Sequence, residues 1–242
     1  MVLWVYGFIF ALVKPIRSKT IEKYMKIGVS NLKGGVGKTT ISQNLAVCFA
    51  SMGFKTCIVD TDENQNSLAW SGVRSADLPP ITVVGITEVK ALAKTVDYLH
   101  KDYEVVIIDG TPSLSEMTTG IIIASDILII PILPSAHDFR AMNPFFKRYE
   151  QAKIYKSDIA AFFLINQFST TANVYKRMRE AIDGFEIETL KTSIGKRAVY
   201  VETAIDGKGV LESSDAKAKE EMINLTKEIL AIAETLNLTK AG

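Results

Sequence analysis

The chain has 242 residues, 48% of them hydrophobic, a length that suits one well-buried α/β domain and is short for two. A formal net charge of +1 excludes a uniformly basic protein, so any contact with nucleic acid must come from a local patch. The two cysteines, Cys48 and Cys57, sit in apolar surroundings without CxxC spacing, which excludes a secreted disulfide scaffold and reads as two buried, reduced thiols of a cytosolic protein.

Residues 1–24 do not fit the rest. The apolar run MVLWVYGFIFALV makes a helix of about 20 Å, short of a hydrocarbon core of about 30 Å. It lacks the basic segment and small-residue cleavage site of a signal peptide. The preferred reading is a start-site artefact, with Met25 as the alternative start of a single domain over 25–242. The competing reading is an apolar anchor followed by Lys14, Arg17 and Lys19 at a lipid surface.

From Met25 onward, short β-branched runs alternate with longer amphipathic stretches, the pattern of a doubly wound, mostly parallel sheet with helices on both faces. Strands are expected at Lys26–Asn31, Thr56–Asp60, Ile81–Val84, Glu104–Asp109, Ile127–Ile132, Ala160–Asn166 and Ile187–Thr192. Helices are expected at Thr39–Met52, Thr87–His100, Ser115–Ser125, Ala136–Tyr155, Thr171–Phe185 and Ala216–Leu236. Asp62–Ser67 and Gly195–Arg197 read as exposed polar loops. His100 and His137 have no metal-ligand spacing.

The chemistry begins at the first strand-to-helix turn, Lys33-Gly34-Gly35-Val36-Gly37-Lys38-Thr39-Thr40. Glycines let backbone N–H groups converge on phosphate oxygens, and the following helix N-terminus adds its dipole. Lys38 would reach the β- and γ-phosphates, and the Thr39 hydroxyl would enter a magnesium shell. The ordinary phosphate loop begins with glycine five residues before Gly37, whereas Leu32 stands there and a second lysine, Lys33, follows it.

With that second lysine the loop resembles the deviant Walker A motif of the ParA and MinD superfamily of ATPases. Ile58-Val59-Asp60-Thr61-Asp62 resembles the family's second-strand Asp-x-Asp, Val105 to Asp109 its Walker B strand, and Asp126 to Pro131 also fits. Arg197 to Glu202, Gly207, Val210 to Asp215 and Leu225 to Ile229 resemble the small ParF-like plasmid-partition subgroup. The similarity runs over about residues 25 to 236.

The resemblance implies a P-loop ATPase of the deviant Walker A type, using ATP and Mg2+, in which Lys33 reaches across an ATP-dependent homodimer to the partner's nucleotide. Asp109, ending a buried strand, is then the second metal-shell residue beside Thr39. Asp62 aligns the attacking water, which needs orientation more than strong basicity. Asp60 lies two residues back on the same strand face and reads either as a hydrogen-bonding group near Lys38 or magnesium or as an ordinary strand-end carboxylate. Glu63-Asn64 stand where the family has Pro-Gln. Gly110-Thr111-Pro112 is the expected second switch. Asn166 falls at the family's base-reading position, where an amide pairs with adenine, and no guanine-reading motif follows a late strand.

The family's dimer binds DNA without sequence preference. Basic residues outnumber acidic ones between Arg140 and Tyr200, and Lys176, Arg177, Arg179, Lys196 and Arg197 are the candidate phosphate contacts. The balanced charges of the last helix argue for packing rather than membrane binding. The leading expectation is a cytoplasmic, nucleoid-associated partition ATPase triggered by a centromere-binding ParB/ParG-like partner. The alternative is a MinD-like membrane-associated positioning ATPase. An iron-protein-type reductase is excluded because no cysteine follows Cys57.

Overall fold

The computed structural model of the chain describes residues 21–23, 25–113, 115–135, 142–169, 187–236 and 239–241. In chain order these form β1 (Ile21–Lys23), β2 (Met25–Val29), α1 (Lys38–Ser51), β3 (Thr56–Asp60), α2 (Asn66–Gly72), β4 (Thr82–Gly85), α3 (Val89–Asp102) and β5 (Val105–Asp109). There follow α4 (Glu116–Ala124), β6 (Ile127–Ile132), α5 (Asn143–Lys153), β7 (Ala160–Ile165), β8 (Glu188–Thr189), α6 (Val199–Ile205), a 3-10 turn at Val210–Glu212, α7 (Ala216–Thr235) and β9 (Thr239–Ala241).

Seven strands make one sheet in the order β4-β3-β5-β2-β6-β7-β8, with every pairing parallel. Every residue of β3, β5 and β6 is buried, as expected of central strands covered on both faces. Side chains alternate between the two faces. Ile27, Ile58, Ile107 and Ile129 pack with Leu45 and Phe49 of α1 and Met222, Leu225 and Ile229 of α7. Val59, Val106 and Ile108 pack instead with Leu92, Val96 and Ile121 of α3 and α4, while Leu128, Ile130 and Phe163 pack with Phe145 and Tyr149 of α5. The apolar stripe of α7 therefore lies in the core, and Asp215 caps its first turn by accepting from Ala218 N at 3.0 Å. No helix among the described residues is long and apolar enough to cross a membrane.

Pro131 occurs in a central strand without breaking it. Pairing of β6 with β2 ends at Ile129, so the missing N–H of Pro131 falls beyond that ladder.

Several elements depart from the sequence expectation. The Asp62–Ser67 stretch is not all exposed loop: α2 begins at Asn66, and Ser67 is fully buried. Its seven residues are too few to show a helical period, which is why the pattern hid it. Helix α6 was missed for the same reason. The seventh strand shrinks from Ile187–Thr192 to Glu188–Thr189, an edge position with little pairing to extend it. The antiparallel pairing of β1 with β9 was also unexpected. The expected helix Thr171–Phe185 lies outside the described residues.

Candidate phosphate-binding site

In an open parallel sheet the loops at the carboxyl ends of neighbouring strands converge, and the candidate residues leave the ends of β2, β3, β5 and β7. Val29 and Asp60 are both register partners of Asp109, which brings the phosphate loop, Asp-x-Asp turn and Walker B carboxylate together.

The loop after β2 is held from both sides. Asn31 donates through Nδ2 to Pro131 O at 2.7 Å and accepts from Lys33 N at 3.0 Å. Gly35 and Gly37 have φ of 74° and 93°, a region costly for residues with a Cβ. A Cβ on Gly37 would also collide with the Asn166 amide. Gly34 and Gly35 are exposed, Val36 is buried, and Thr39 and Thr40 begin α1 half-buried.

Lys38 is 6% exposed and donates from Nζ to Lys33 O at 2.9 Å. Burial lowers its pKa to about 8, opposed by the negative charges of Asp109 and Asp62, so the side chain is mainly cationic at neutral pH.

Asp109 is almost fully buried, and burial pushes its carboxyl up to about 7. Ser67 Oγ donates to Oδ2 at 2.8 Å and Ser42 Oγ to Oδ1 at 3.1 Å, and the Thr39 hydroxyl is a further hydrogen-bond partner. Thr61 Oγ1 donates to Asp109 O at 2.7 Å and accepts from Thr111 N at 3.2 Å, which ties the Gly110-Thr111-Pro112 turn to the Asp-x-Asp turn.

Asp60 is satisfied by backbone N–H groups of the turn and helix that follow it. Its Oδ2 accepts from Ser67 N at 2.8 Å and Leu68 N at 3.1 Å, and its Oδ1 from Asp62 N at 3.2 Å. It thus caps the start of α2, and burial raises its pKa. Asp62 is half-buried and accepts from Asn64 N at 2.9 Å and Asn64 Nδ2 at 2.8 Å. Glu63-Asn64, in place of Pro-Gln, therefore still makes a closed turn. Asp62 lines a cavity of about 370 Å³ with Glu63, Thr87, Thr111 and Pro112.

Asn166 is buried at the end of β7, donates from Nδ2 to Val36 O at 2.7 Å and accepts from Gln167 N at 2.9 Å. Gln167, at φ 54°, donates from Nε2 to Gly35 O at 2.8 Å. Both amides thus brace the loop, and the Asn166 side chain retains one donor and one acceptor position for a ligand. With Gly37, Thr40, Lys196 and Arg197 it borders a cavity of about 530 Å³.

Lys196 is exposed on that cavity, but Arg197 is engaged by Glu221, with Nη2 to Oε1 at 2.6 Å. Lys176, Arg177 and Arg179 lie outside the described residues. Ser42, Ser67, Asn31 and Gln167 were not singled out from sequence. Ser42 was accessible in principle, since it stands one helical turn after Lys38 and shares its face.

The donor set fits magnesium. Thr39 and Asp109 supply hard oxygens, and among the described residues there is no cluster of three His, Cys, Asp or Glu side chains of the kind that holds a tightly bound transition metal. Mg2+ characteristically takes one or two protein oxygens and completes its shell with phosphate and water.

The AAA domain family model matches residues 24–86 and 75–160. The maintenance of carboxysome distribution protein A of Halothiobacillus neapolitanus is 26% identical over 212 residues, covering 86% of this chain and 98% of that protein. The sporulation initiation inhibitor protein Soj of Bacillus subtilis is 24% identical over 247 residues, covering 85% and 98%. The septum site-determining protein MinD of Pyrococcus horikoshii, solved with Mg-ADP, superposes with a TM-score of 0.68 at 18% identity, covering 88% of this chain and 98% of that one.

Proposed function

Because the chain belongs to the AAA domain family and to the ParA/MinD superfamily of ATPases, we propose that it is a cytoplasmic, nucleoid-associated partition ATPase of the ParF-like kind. ATP closes a homodimer, the dimer holds DNA without sequence preference, and a centromere-binding ParB/ParG-like partner triggers hydrolysis and release. The observation that carries this reading is the convergence of a buried Lys38, a positive-φ glycine loop and the buried Asp109 at the end of adjacent parallel strands.

On this reading the loop N–H groups and the start of α1 receive the phosphates. Lys38 exchanges the Lys33 carbonyl for phosphate oxygens, a gain for a cation that now rests on a neutral acceptor. Thr39 and Asp109 would hold Mg2+, which neutralises charge developing on the phosphates. Asp62 aligns water from the cavity it lines. Asn166 faces the base from the floor of its own cavity and favours ATP over GTP. Lys33 crosses to the second nucleotide in the dimer. Energetically, closure requires only that ATP bind the dimer more tightly than the monomer.

Retention on nonspecific duplex tests the reading, measured at low and high salt with ATP, ADP or no nucleotide. Retention with ATP alone, weakening as salt rises, is expected, because the patch must be doubled in a dimer to compete with counterions. Replacing Arg177 and Arg179 together by Glu should reduce retention and leave ATP affinity unchanged. Equal retention under all three nucleotide conditions overturns the ATP-gated reading.

The apolar run at residues 1–13 supports a second reading, a MinD-like membrane-associated positioning ATPase. Liposome cosedimentation of chains beginning at Met1 and at Met25 separates the two: lipid binding by the longer chain alone favours the second.

A further inference from the structure

Helix α2 carries Ser67 at one end and is followed at the other by Arg74, and both ends are tied to distant parts of the chain. Arg74 is 5% exposed at its side chain, and all five of its guanidinium N–H donors have acceptors. Nη2 reaches Glu212 Oε1 at 2.6 Å and Pro79 O at 3.1 Å; Nη1 reaches Glu212 Oε2 at 2.9 Å and Gly207 O at 2.8 Å; Nε reaches Pro79 O at 3.4 Å. Trp70, whose ring lies 5.3 Å from the guanidinium, donates from Nε1 to Lys208 O at 3.2 Å. Gly207 has φ 66°, and a Cβ there would meet the Arg74 backbone.

The turn that receives Arg74 is also tied to the phosphate-loop helix. Val210 N donates to Asn44 Oδ1 at 2.7 Å, and Asn44 Nδ2 donates to Thr40 O at 2.8 Å. One segment, 207–212, therefore touches both α1, which carries Thr39, and α2, which carries Ser67. Helix α2 has only Ser67 and Trp70 buried, Trp70 in the central core, so its position rests on few contacts. The bidentate Arg74–Glu212 pair supplies a further restraint.

We propose that Arg74 is a positioning residue for phosphoryl transfer: its clamp on Glu212 sets α2 so that Ser67 holds the Asp109 carboxylate and the Asp60-Thr61-Asp62 turn in register with the phosphate loop. The proposal rests on the ATPase reading above. Ser67 connects the two ends directly, since its N–H binds Asp60 Oδ2 while its hydroxyl binds Asp109 Oδ2. Displacing α2 moves the metal carboxylate's partner and the water-aligning turn together, while the glycine loop, braced by Asn166 at Val36 O and Gln167 at Gly35 O, stays in place. The defect belongs in turnover and metal use rather than in nucleotide capture.

Lysine keeps the charge but loses the planar fork, so Arg74→Lys is the informative variant, with Glu212→Gln and Arg74→Ala beside it. Amide hydrogen exchange at Ser67 and Leu68 in metal-free, nucleotide-free protein reads the link to α2 without any catalysis. Steady-state kinetics against ATP and Mg2+ read its consequence. For Arg74→Lys, exchange at those two amides should accelerate and the Mg2+ requirement should rise about tenfold, as for other outer residues that orient a metal ligand. The value of kcat should fall about tenfold with KM for ATP within about twofold of wild type. Glu212→Gln should move the same quantities less. If Arg74→Ala does not fold, the two conservative variants carry the test. Unchanged exchange at Ser67 and Leu68, or a fall in kcat that merely tracks a smaller folded fraction, overturns the proposal. Absence of turnover in the wild type would instead overturn the ATPase reading, and the exchange measurement would still decide whether Arg74 governs α2.

Discussion

The phosphate loop, residues 31–40, and the switch segment, residues 60–74, leave adjacent regions of one sheet and both carry polar chemistry, yet they are held differently. The loop depends on backbone conformations that few residues accept, notably φ of 74° at Gly35 and 93° at Gly37. The switch segment depends on side chains meeting distant groups: Asp60 and Ser67 at the centre of the sheet, and Arg74 on a turn near the end of the chain. A conformational requirement restricts residue type and can be read locally. A long-range hydrogen bond leaves an ordinary Ser or Arg in the sequence, with nothing beside it to mark its role.

Asp62→Ala breaks the comparison at its most functional point and should have the largest effect of the three changes considered next. Water alignment is lost while every phosphate contact of the loop remains, so turnover should fall by about a hundredfold or more with ATP affinity nearly unchanged. Single-turnover hydrolysis and equilibrium nucleotide binding, measured on the same preparation, check both halves. Wild-type turnover would place the water-aligning role elsewhere.

Asn166→Ala attacks the loop from outside. It removes the donor to Val36 O and the acceptor for Gln167 N, both buried or nearly so, at a cost of about 1–3 kcal/mol in stability. Nucleotide affinity should fall by about tenfold as the loop loses its brace, with a parallel loss of any preference for adenine over guanine nucleotides. Thermal unfolding and competition between ATP and GTP separate bracing from base recognition. Reduced affinity with preference retained would assign the residue to the loop alone.

The parallel, two-sided sheet was legible because buried β-branched runs alternating with amphipathic stretches leave few other arrangements, whereas the order of its strands was not read from the sequence. Six expected strands appear within a few residues of their stated ends. Lys38, Thr39, Asp62 and Asp109 could be singled out from sequence because each stands at a strand end or in the turn or helix start that follows one, where phosphate and metal chemistry would restrict residue type. Asp60 was half-legible: its position was clear, but its partners, the N–H groups of Ser67 and Leu68, belong to a helix too short to show a period. Arg197 shows what local reading leaves out: its charge made it a candidate phosphate contact, and Glu221 of α7, which the sequence did not point to, pairs with it.

The remaining expected effect is on stability rather than turnover, and concerns the carboxylate that both regions share. In the metal-free protein Asp109 has its pKa pushed up to about 7 by burial, against about 3.9 for an unfolded Asp. The folded state therefore binds this proton more tightly than the unfolded state. Stability from the group is fully present below about pH 4, declines as pH rises, and is lost once pH passes about 7. Asp109→Asn approximates the neutral acid at every pH. Without metal or nucleotide, wild type and Asp109→Asn should unfold at similar temperatures near pH 4, and the variant should become the more stable of the two by pH 8. At about 1.4 kcal/mol per pKa unit and roughly 2–4 °C per kcal/mol for a chain of this size, the gap should be on the order of ten degrees. Adding Mg2+ with nucleotide should close it from the wild-type side, because metal binding requires the ionised carboxylate and offsets the charge that burial penalises. A gap that is the same at pH 4 and pH 8, or one that Mg2+ with nucleotide leaves untouched, would show that the buried charge on Asp109 is not what sets this pH dependence.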